Sequence, residues 1–286
     1  TLRESLFASY GANWFSSFGR IPSALFNYDV RVRNTIHLGA RTAEKTESHT
    51  TLLHRWFEDA RPHLFQLLQY ADFTPKVWGL RIPKFNTSRL SQAFEACMQS
   101  GSLRVRDVLT RREGKGGSLY FKKTAYNWLA FSHTPPPCRD AAGNEIEQSQ
   151  LDSVFPIDSS TTDTLFLLLN GKWAFVFWCA LGDDFHVTKG LIGDFPIVKE
   201  LVQTLPRDEV KACCAALKRA MKDAIQFKLN AGINVGTYNL AVCRDVTDQS
   251  DRLFSKALSL TSAWEDVELY CSQVVRTEFF ADGNEE

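Results

Sequence analysis

No apolar run in this 286-residue sequence is long enough to span a bilayer. The longest, residues 165–181, is broken by Asn170-Gly171-Lys172, so neither half reaches the ~18–20 residues that a spanning helix needs. No membrane partner is expected. The opening Thr1-Leu2-Arg3-Glu4-Ser5 lacks the basic head and apolar run of a secretory signal. Starting at a threonine and in mid-pattern, the sequence reads as a piece of something longer. Net charge is absent too: 33 Lys and Arg balance 33 Asp and Glu, which argues against indiscriminate polyanion binding over the whole surface. The seven cysteines (Cys97, Cys138, Cys179, Cys213, Cys214, Cys243 and Cys271) are odd in number and scattered. Three lie in apolar runs, as buried thiols do in a reducing cytosol, so a cytoplasmic protein is expected. None of His37, His49, His54, His63, His133 and His186 sits beside a Cys pair at zinc spacing, so no metal site is expected.

A catalytic constellation is also missing. Gly114-Lys115-Gly116-Gly117-Ser118 lacks the Gly four residues earlier and the hydroxyl directly after the lysine that a phosphate loop requires. It reads as a flexible basic turn. No serine stands in a nucleophile elbow. Asp140, Glu145 and Glu147 have no lysine of the kind a metal-dependent nuclease uses, and read as an acidic loop.

What is present is a core and a charge asymmetry. With 44% hydrophobic and 12% aromatic residues, the chain can bury one large domain or two modest ones. Within residues 76–123, eleven basic side chains face only Glu95, Asp107 and Glu113, leaving +8. From residue 263 onward, seven carboxylates face the single Arg276, leaving −6. A basic middle and an acidic end point to one polyanion-facing surface and a solvated back. The basic stretch is rich in Arg and is interleaved with Tyr120, Phe121, Tyr126 and Trp128, the residue types that contact phosphates, base edges and base faces.

Three regions separate along the chain. Residues 1–74 begin with a short helical pattern (Leu2, Leu6, Phe7, Tyr10), then strand-like runs at 14–18 and 30–38 around a turn at Ile21-Pro22-Ser23. Val30, Val32, Asn34 and Ile36 alternate with Arg31, Arg33, Thr35 and His37, the period of a half-exposed strand. Residues 52–70 predict a helix interrupted near Pro62. Residues 75–200 are mixed: a helix over 88–99 carries Leu90, Phe94 and Cys97 on one face, 139–160 predicts a surface loop, and 164–181 predicts core. Residues 201–286 predict helices. One opens at Pro206, carries Val210, Cys213, Cys214, Leu217, Met221 and Ile225, and ends by Gly232; another opens on a Ser262/Glu265 capping box. The expected class is mixed α/β.

Arg20-Ile21-Pro22-Ser23-Ala24-Leu25-Phe26, with residues 30–36 after it, resembles the later part of adenine-specific DNA methyltransferases joined to a target recognition domain, as in Eco57I-like single-chain restriction–modification enzymes. Residues 167–171 and 173–178 resemble a further segment of that family. His186-Val187-Thr188 with 192–197 resembles its closing recognition motif, and 234–240 with 247–251 its tails. The resemblance runs over nearly the whole chain. It implies a remnant of a Rossmann-like methyltransferase sheet in 1–74, a target recognition domain in 75–200 and a helical end in 201–286. It implies S-adenosylmethionine as cofactor of the intact parent but none in this chain, because neither the Gly-rich turn nor the Asn-Pro-Pro-Tyr-type motif is present; Thr134-Pro135-Pro136-Pro137 is the wrong string in the wrong region. No catalytic residue is therefore expected here. Phe26 is expected to stack on the extruded adenine of the parent, with a core residue at a turn as the alternative.

The expected partners are double-stranded DNA, the preceding methyltransferase portion and other subunits of a phage-defence assembly. Arg81, Lys84, Arg104, Arg106, Arg111, Arg112, Lys115, Lys122 and Lys123 are the candidate DNA contacts read from the basic stretch, with His186, Thr188 and Lys189 added by the resemblance. Arg31 and Arg33 project from the polar side of their strand, toward DNA or toward solvent. The competing reading is a non-catalytic module that docks a partner subunit through the acidic helical end and the aromatic run 173–178.

Overall fold

A computed structural model describes residues 1–26, 32–42, 47–99, 103–125, 128–197 and 205–274. In chain order the elements are α1 (Leu2–Ser9), β1 (Ala12–Phe18), β2 (Asn34–Ala40), β3 (Glu47–His54), a 3-10 segment (Glu58–Leu67), β4 (Ala71–Asp72) and α2 (Ser88–Gln99). Short strands β5 (Leu103–Arg104), β6 (Leu109–Thr110), β7 (Leu119–Lys122), β8 (Phe131–Ser132) and β9 (Cys138–Arg139) precede β10 (Leu151–Pro156), α3 (Ser159–Asn170), α4 (Lys172–Leu181), α5 (Lys189–Gly193) and β11 (Pro196–Ile197). The last elements are α6 (Arg207–Asp223), β12 (Ile225–Asn230), β13 (Ile233–Tyr238), α7 (Arg244–Ala257) and α8 (Trp264–Val274). The class is mixed α/β with several small sheets.

Two compact units divide the chain. The first holds Thr1–Gly101, Cys179–Asp184 and Ser262–Glu286; the second holds Ser102–Trp178 and Phe185–Thr261. Each is discontinuous in sequence, so they do not follow the three consecutive regions read from the sequence.

The first unit is built on a four-stranded sheet in the order β2-β1-β3-β4, with β1 antiparallel to β2 and parallel to β3. Flanked on both edges, β1 buries Phe15 and Phe18 together with Asn13, Ser16 and Ser17. Those polar groups have partners, Asn13 Oδ1 in His37 Nε2 at 3.0 Å, Ser16 Oγ in Tyr70 Oη at 2.6 Å and Ser17 Oγ in Thr35 Oγ1 at 3.4 Å, as buried polar atoms must. Phe18, Trp56 and Leu64 pack as one cluster. Trp78, Phe85 and Phe94 form a second aromatic group, and the buried Glu95 carboxylate accepts from Trp78 Nε1 at 2.9 Å. Two sequence expectations change here. The second strand runs over Asn34–Ala40 rather than 30–38, and 27–31 lie outside the described residues. In place of a helix over 52–70, Leu52, Leu53 and His54 complete β3 against β1, and the 3-10 segment follows. Pro62 withholds a main-chain donor inside that segment.

The second unit buries the most apolar stretch of the chain. Leu165 to Leu169, Trp173, Phe175, Phe177 and Trp178 are all at most 2% exposed. The break that divides this stretch is structural. Asn170 Oδ1 accepts from Phe131 N–H at 2.8 Å, and its Nδ2 donates to the carbonyls of Phe131 and Phe166. A Cβ on Gly171 would collide with Asp251 Oδ1, whose partner oxygen Oδ2 accepts from Lys172 N–H at 2.9 Å. A carboxylate from α7 thus satisfies an orphan donor at the start of α4. α3 and α4 meet at 62°, and among the described residues no single helix is long and apolar enough to cross a membrane.

Three small sheets complete this unit: β6-β10-β7-β8, β11-β5 and β12-β13-β9. The surface loop expected over 139–160 instead contains β10, paired on both edges, because Val154 and Pro156 face the interior while Asp152 and Ser153 mask the pattern. The expected helix to Gly232 stops at Asp223, where Ala224 N–H bonds back to the carbonyls of Ala220 and Met221. Ile225, Phe227 and Leu229 then alternate with polar residues, a period of two rather than 3.6, and form a hairpin, so 201–286 is not wholly helical. α8 begins at Trp264 after a 3-10 turn over Thr261–Ala263.

Candidate nucleic-acid interface

Ten of the candidate DNA-contacting residues belong to the second unit, and its topology arranges them in three groups. Strands β6 and β7 both pair with β10, so residues 111–118 join them as a loop past one end of that strand. The turn closes with Gly117 N–H donating to Gly114 O at 3.0 Å, and Gly117 takes φ +70°, a conformation open to glycine. A Cβ on Gly116 would run into the Pro156 carbonyl, while Thr162 Oγ1 donates to Gly116 O at 2.7 Å. The expected flexible basic turn is therefore tied to the sheet and to the start of α3. Arg111, Arg112 and Lys115 are exposed on it, with Glu113 between them.

The second group lies at the other end of β7. Lys122 is half-buried and donates through Nζ to Thr237 Oγ1 at 2.6 Å; burial pulls its pKa down. Lys123 is exposed and its Nζ reaches Ser149 O at 3.2 Å. Thr124 bridges to His186, Ala125 N–H donates to Phe185 O, and Val187 N–H donates to Lys123 O, both at 2.8 Å. These bonds lay the 185–189 segment beside 123–125. His186, Thr188 and Lys189 are exposed there. Thr188 caps α5 by accepting from Leu191 N–H, and Lys189 Nζ pairs with Asp152 at 2.8 Å. The third group is Arg104 and Arg106, beside the β5-β11 pair. Arg104 N–H donates to Asp107 Oδ2, and Arg106 Nη1 pairs with Asp194 at 2.7 Å while remaining 61% exposed.

The first unit holds the remaining candidates. Phe26 is 55% exposed, on a loop held by Arg61, which donates to Ala24 O and Leu25 O at 3.0 Å and lies 4.7 Å from the Trp56 ring centroid. Arg33 is half-buried; burial lowers its pKa, opposed by the charges of Asp184 and Asp183. Arg31 lies outside the described residues. Arg81 Nε donates to Trp78 O at 3.1 Å. Lys84 departs from its expected role. Its ammonium donates to the carbonyls of Ala180 and Gly182, both at 2.9 Å, and burial drives its pKa down to about 8. A cation spent on the protein's own main chain is not offered to a phosphate.

The aromatic run 173–178, expected as a docking surface, is core: Trp173 and Phe175 are 0% exposed and Trp178 2%. Among the described residues no cluster of three His, Cys, Asp or Glu is arranged to hold a metal ion, and all seven cysteines are free thiols. Sequence reasoning passed over Phe227, Lys228 and Leu229, exposed side chains on β12. Their signal was the alternation across 225–230 followed by Asn230-Ala231-Gly232, a hairpin turn. No family model, curated protein or solved structure matches this chain.

Proposed function

We propose that this chain is the DNA-recognition part of a site-specific DNA adenine-N6 methyltransferase of a restriction–modification or phage-defence system. The observation that carries the reading is the cation set of the second unit: Arg111, Arg112 and Lys115 exposed on a pinned loop, with Lys123 and His186 at the other end of the same strand. Guanidinium and ammonium groups on short, tied loops suit phosphate contacts, which set register on the duplex and leave base edges to neighbouring side chains. In this reading the first unit is the closing part of the methyltransferase sheet, and the second is the target recognition domain.

The sequence resemblance supports the same assignment for Phe26. An exposed ring on a loop braced by Arg61 suits stacking against an extruded adenine, which has lost its neighbours in the helix. S-adenosylmethionine, held by the preceding portion of the parent, supplies the methyl group. The residues of this chain bind phosphates, read the site and give the flipped base an apolar face. Docking of a defence subunit through 173–178 is not retained, because those rings have no surface to offer.

The test is retention of the purified chain on random-sequence duplex DNA at low salt, with release at moderate salt, and an assay for methyl transfer from S-adenosylmethionine. Retention with no transfer is expected. Failure to bind at low salt overturns the recognition reading, and methyl transfer by the chain alone overturns the division of labour.

A further inference from the structure

Charge is segregated around the helix α6 of the second unit. Val210, Cys214, Leu217 and Met221 form its buried side, and Arg207, Lys211, Lys218 and Lys222 are all exposed. At about 100° per residue these four cations fall within about 60° of one another, in a row about 22 Å long. The carboxylates of the same helix, Asp208, Glu209 and Asp223, lie outside the row, between about 100° and 200° round from Arg207.

The row is placed at a cost to the helix. Arg207 with Lys211, and Lys218 with Lys222, are like charges four residues apart, an arrangement that destabilises an isolated helix. Among the described residues Arg207, Lys211 and Lys222 make no ion pair, while Lys218 reaches Asp163 at 4.0 Å and lies 5.7 Å over the Phe166 ring. Cations stacked on one face and not spent on the protein's own carboxylates suit a partner with repeated negative charge.

Their place in the fold says which partner. Ser159, Ser160 and Asp163, in the first turns of α3, line a cleft together with Arg207 and Lys211. The same part of α3 receives the basic loop on a different side, where Thr162 Oγ1 donates to Gly116 O and a Cβ on Gly116 would approach Asp158 N. The row of α6 and the exposed cations Arg111, Arg112 and Lys115 therefore border one end of one helix. The two α3 carboxylates there are engaged: Asp158 accepts from Thr161 N–H at 2.8 Å, and Asp163 faces Lys218. Duplex DNA carries one charge per ~1.7 Å of its axis, so a row of this length meets several phosphates at once.

We propose that the α6 face bearing Arg207, Lys211, Lys218 and Lys222 is a second phosphate clamp, which holds the backbone of the same DNA duplex that the 111–115 loop contacts. The proposal rests on the DNA-recognition reading above. The clamp adds affinity and fixes orientation; base reading is left to other side chains.

The test uses an end-labelled random-sequence duplex, with affinity read by anisotropy over a range of salt concentrations. Three proteins are compared: the purified chain, Lys211→Gln/Lys222→Gln, and Arg252→Gln/Lys256→Gln, which removes the same charge from exposed positions of α7. The wild type is expected to bind with a steep salt dependence. The α6 variant is expected to lose between about 1 and 2 of the slope of log affinity against log salt, at about 0.9 per phosphate, and the α7 variant to keep the wild-type slope. With one like-charge neighbour removed from each pair, the α6 variant is expected to melt no lower than the wild type. A wild-type slope in the α6 variant overturns the second clamp and leaves the recognition reading standing on the loop. Equal losses in the two variants assign the effect to net charge and overturn the clamp. A clearly lower melting temperature for the α6 variant shows that the two lysines serve the fold, and also overturns it. No binding by the wild type at low salt overturns the recognition reading and the clamp with it.

Discussion

Asp251 is a carboxylate in a place that disfavours its charge, and replacing it by asparagine isolates the cost. It is fully buried, Oδ2 accepts from Lys172 N–H, and burial drives its pKa up to about 7 from the ordinary 3.8, with the charge of Asp248 adding to the rise and Lys172 opposing it. The native state therefore keeps this proton over a range where the unfolded chain has released it. Stability from this group is complete below about pH 4 and is lost as pH rises toward and past 7. The gap between the two pKa values corresponds to roughly 4 kcal/mol, of which about 2.5 kcal/mol falls between pH 5 and pH 8. His54 has the opposite slope: burial lowers its pKa to about 4, so its contribution is lost as pH falls below 6.5. That term is common to wild type and Asp251→Asn and cancels in their difference. Asparagine keeps an acceptor for Lys172 N–H and carries no charge. Urea unfolding followed by tryptophan fluorescence suits the site, because Trp173 Nε1 donates to Asp251 O at 3.2 Å. The stability of Asp251→Asn relative to wild type is expected to grow by about 2.5 kcal/mol from pH 5 to pH 8. A difference that stays constant over that interval refutes the reasoning.

Other consequences follow from single contacts. His54→Phe is expected to remove about 2 kcal/mol of the stability loss between pH 7 and pH 5, measured by urea titration at both values. Lys84→Met removes the ammonium donor from the carbonyls of Gly182 and Ala180, the latter keeping only the main-chain N–H of residue 84, and is expected to cost about 2 kcal/mol in thermal or urea unfolding, without altering the salt dependence of DNA binding. Gly116→Ala drives a methyl group into the Pro156 carbonyl and is expected to cost about 1–3 kcal/mol; an unchanged melting temperature would show that the loop is not pinned there.

Much of the interior was legible in the sequence. Leu90, Phe94 and Cys97 at helical spacing marked the helix that forms over Ser88–Gln99, and the apolar stretch around Asn170-Gly171-Lys172 became the core of the second unit. Local patterns misled where tertiary pairing decided the outcome. Leu52 and Leu53 extend a strand because β1 lies alongside, and Asp152 and Ser153 sit in a paired strand because β6 and β7 flank it. Ile225 continues a helical stripe on paper, yet the Asn230-Ala231-Gly232 turn closes a hairpin back onto it. Charge was the least legible property of the site. Lys84 and Arg111 look alike in composition, but one ammonium is consumed by two carbonyls while the other cation stands in solvent. Sequence spacing carries no information on which cations the fold spends internally.

The central claim is that the exposed cations of the second unit face DNA phosphates, and salt dependence tests it most directly. Affinity for a random-sequence duplex is to be measured over a range of salt concentrations for the wild type and for Arg111→Ala/Arg112→Ala/Lys115→Ala. Each phosphate neutralised contributes about 0.9 to the slope of log affinity against log salt, so a wild-type slope of about −3 or steeper is expected. The triple variant is expected to lose between about 2 and 3 of that slope while melting with the wild type, since none of the three side chains is buried. A wild type that does not bind at low salt, or a triple variant with the wild-type slope, contradicts the account.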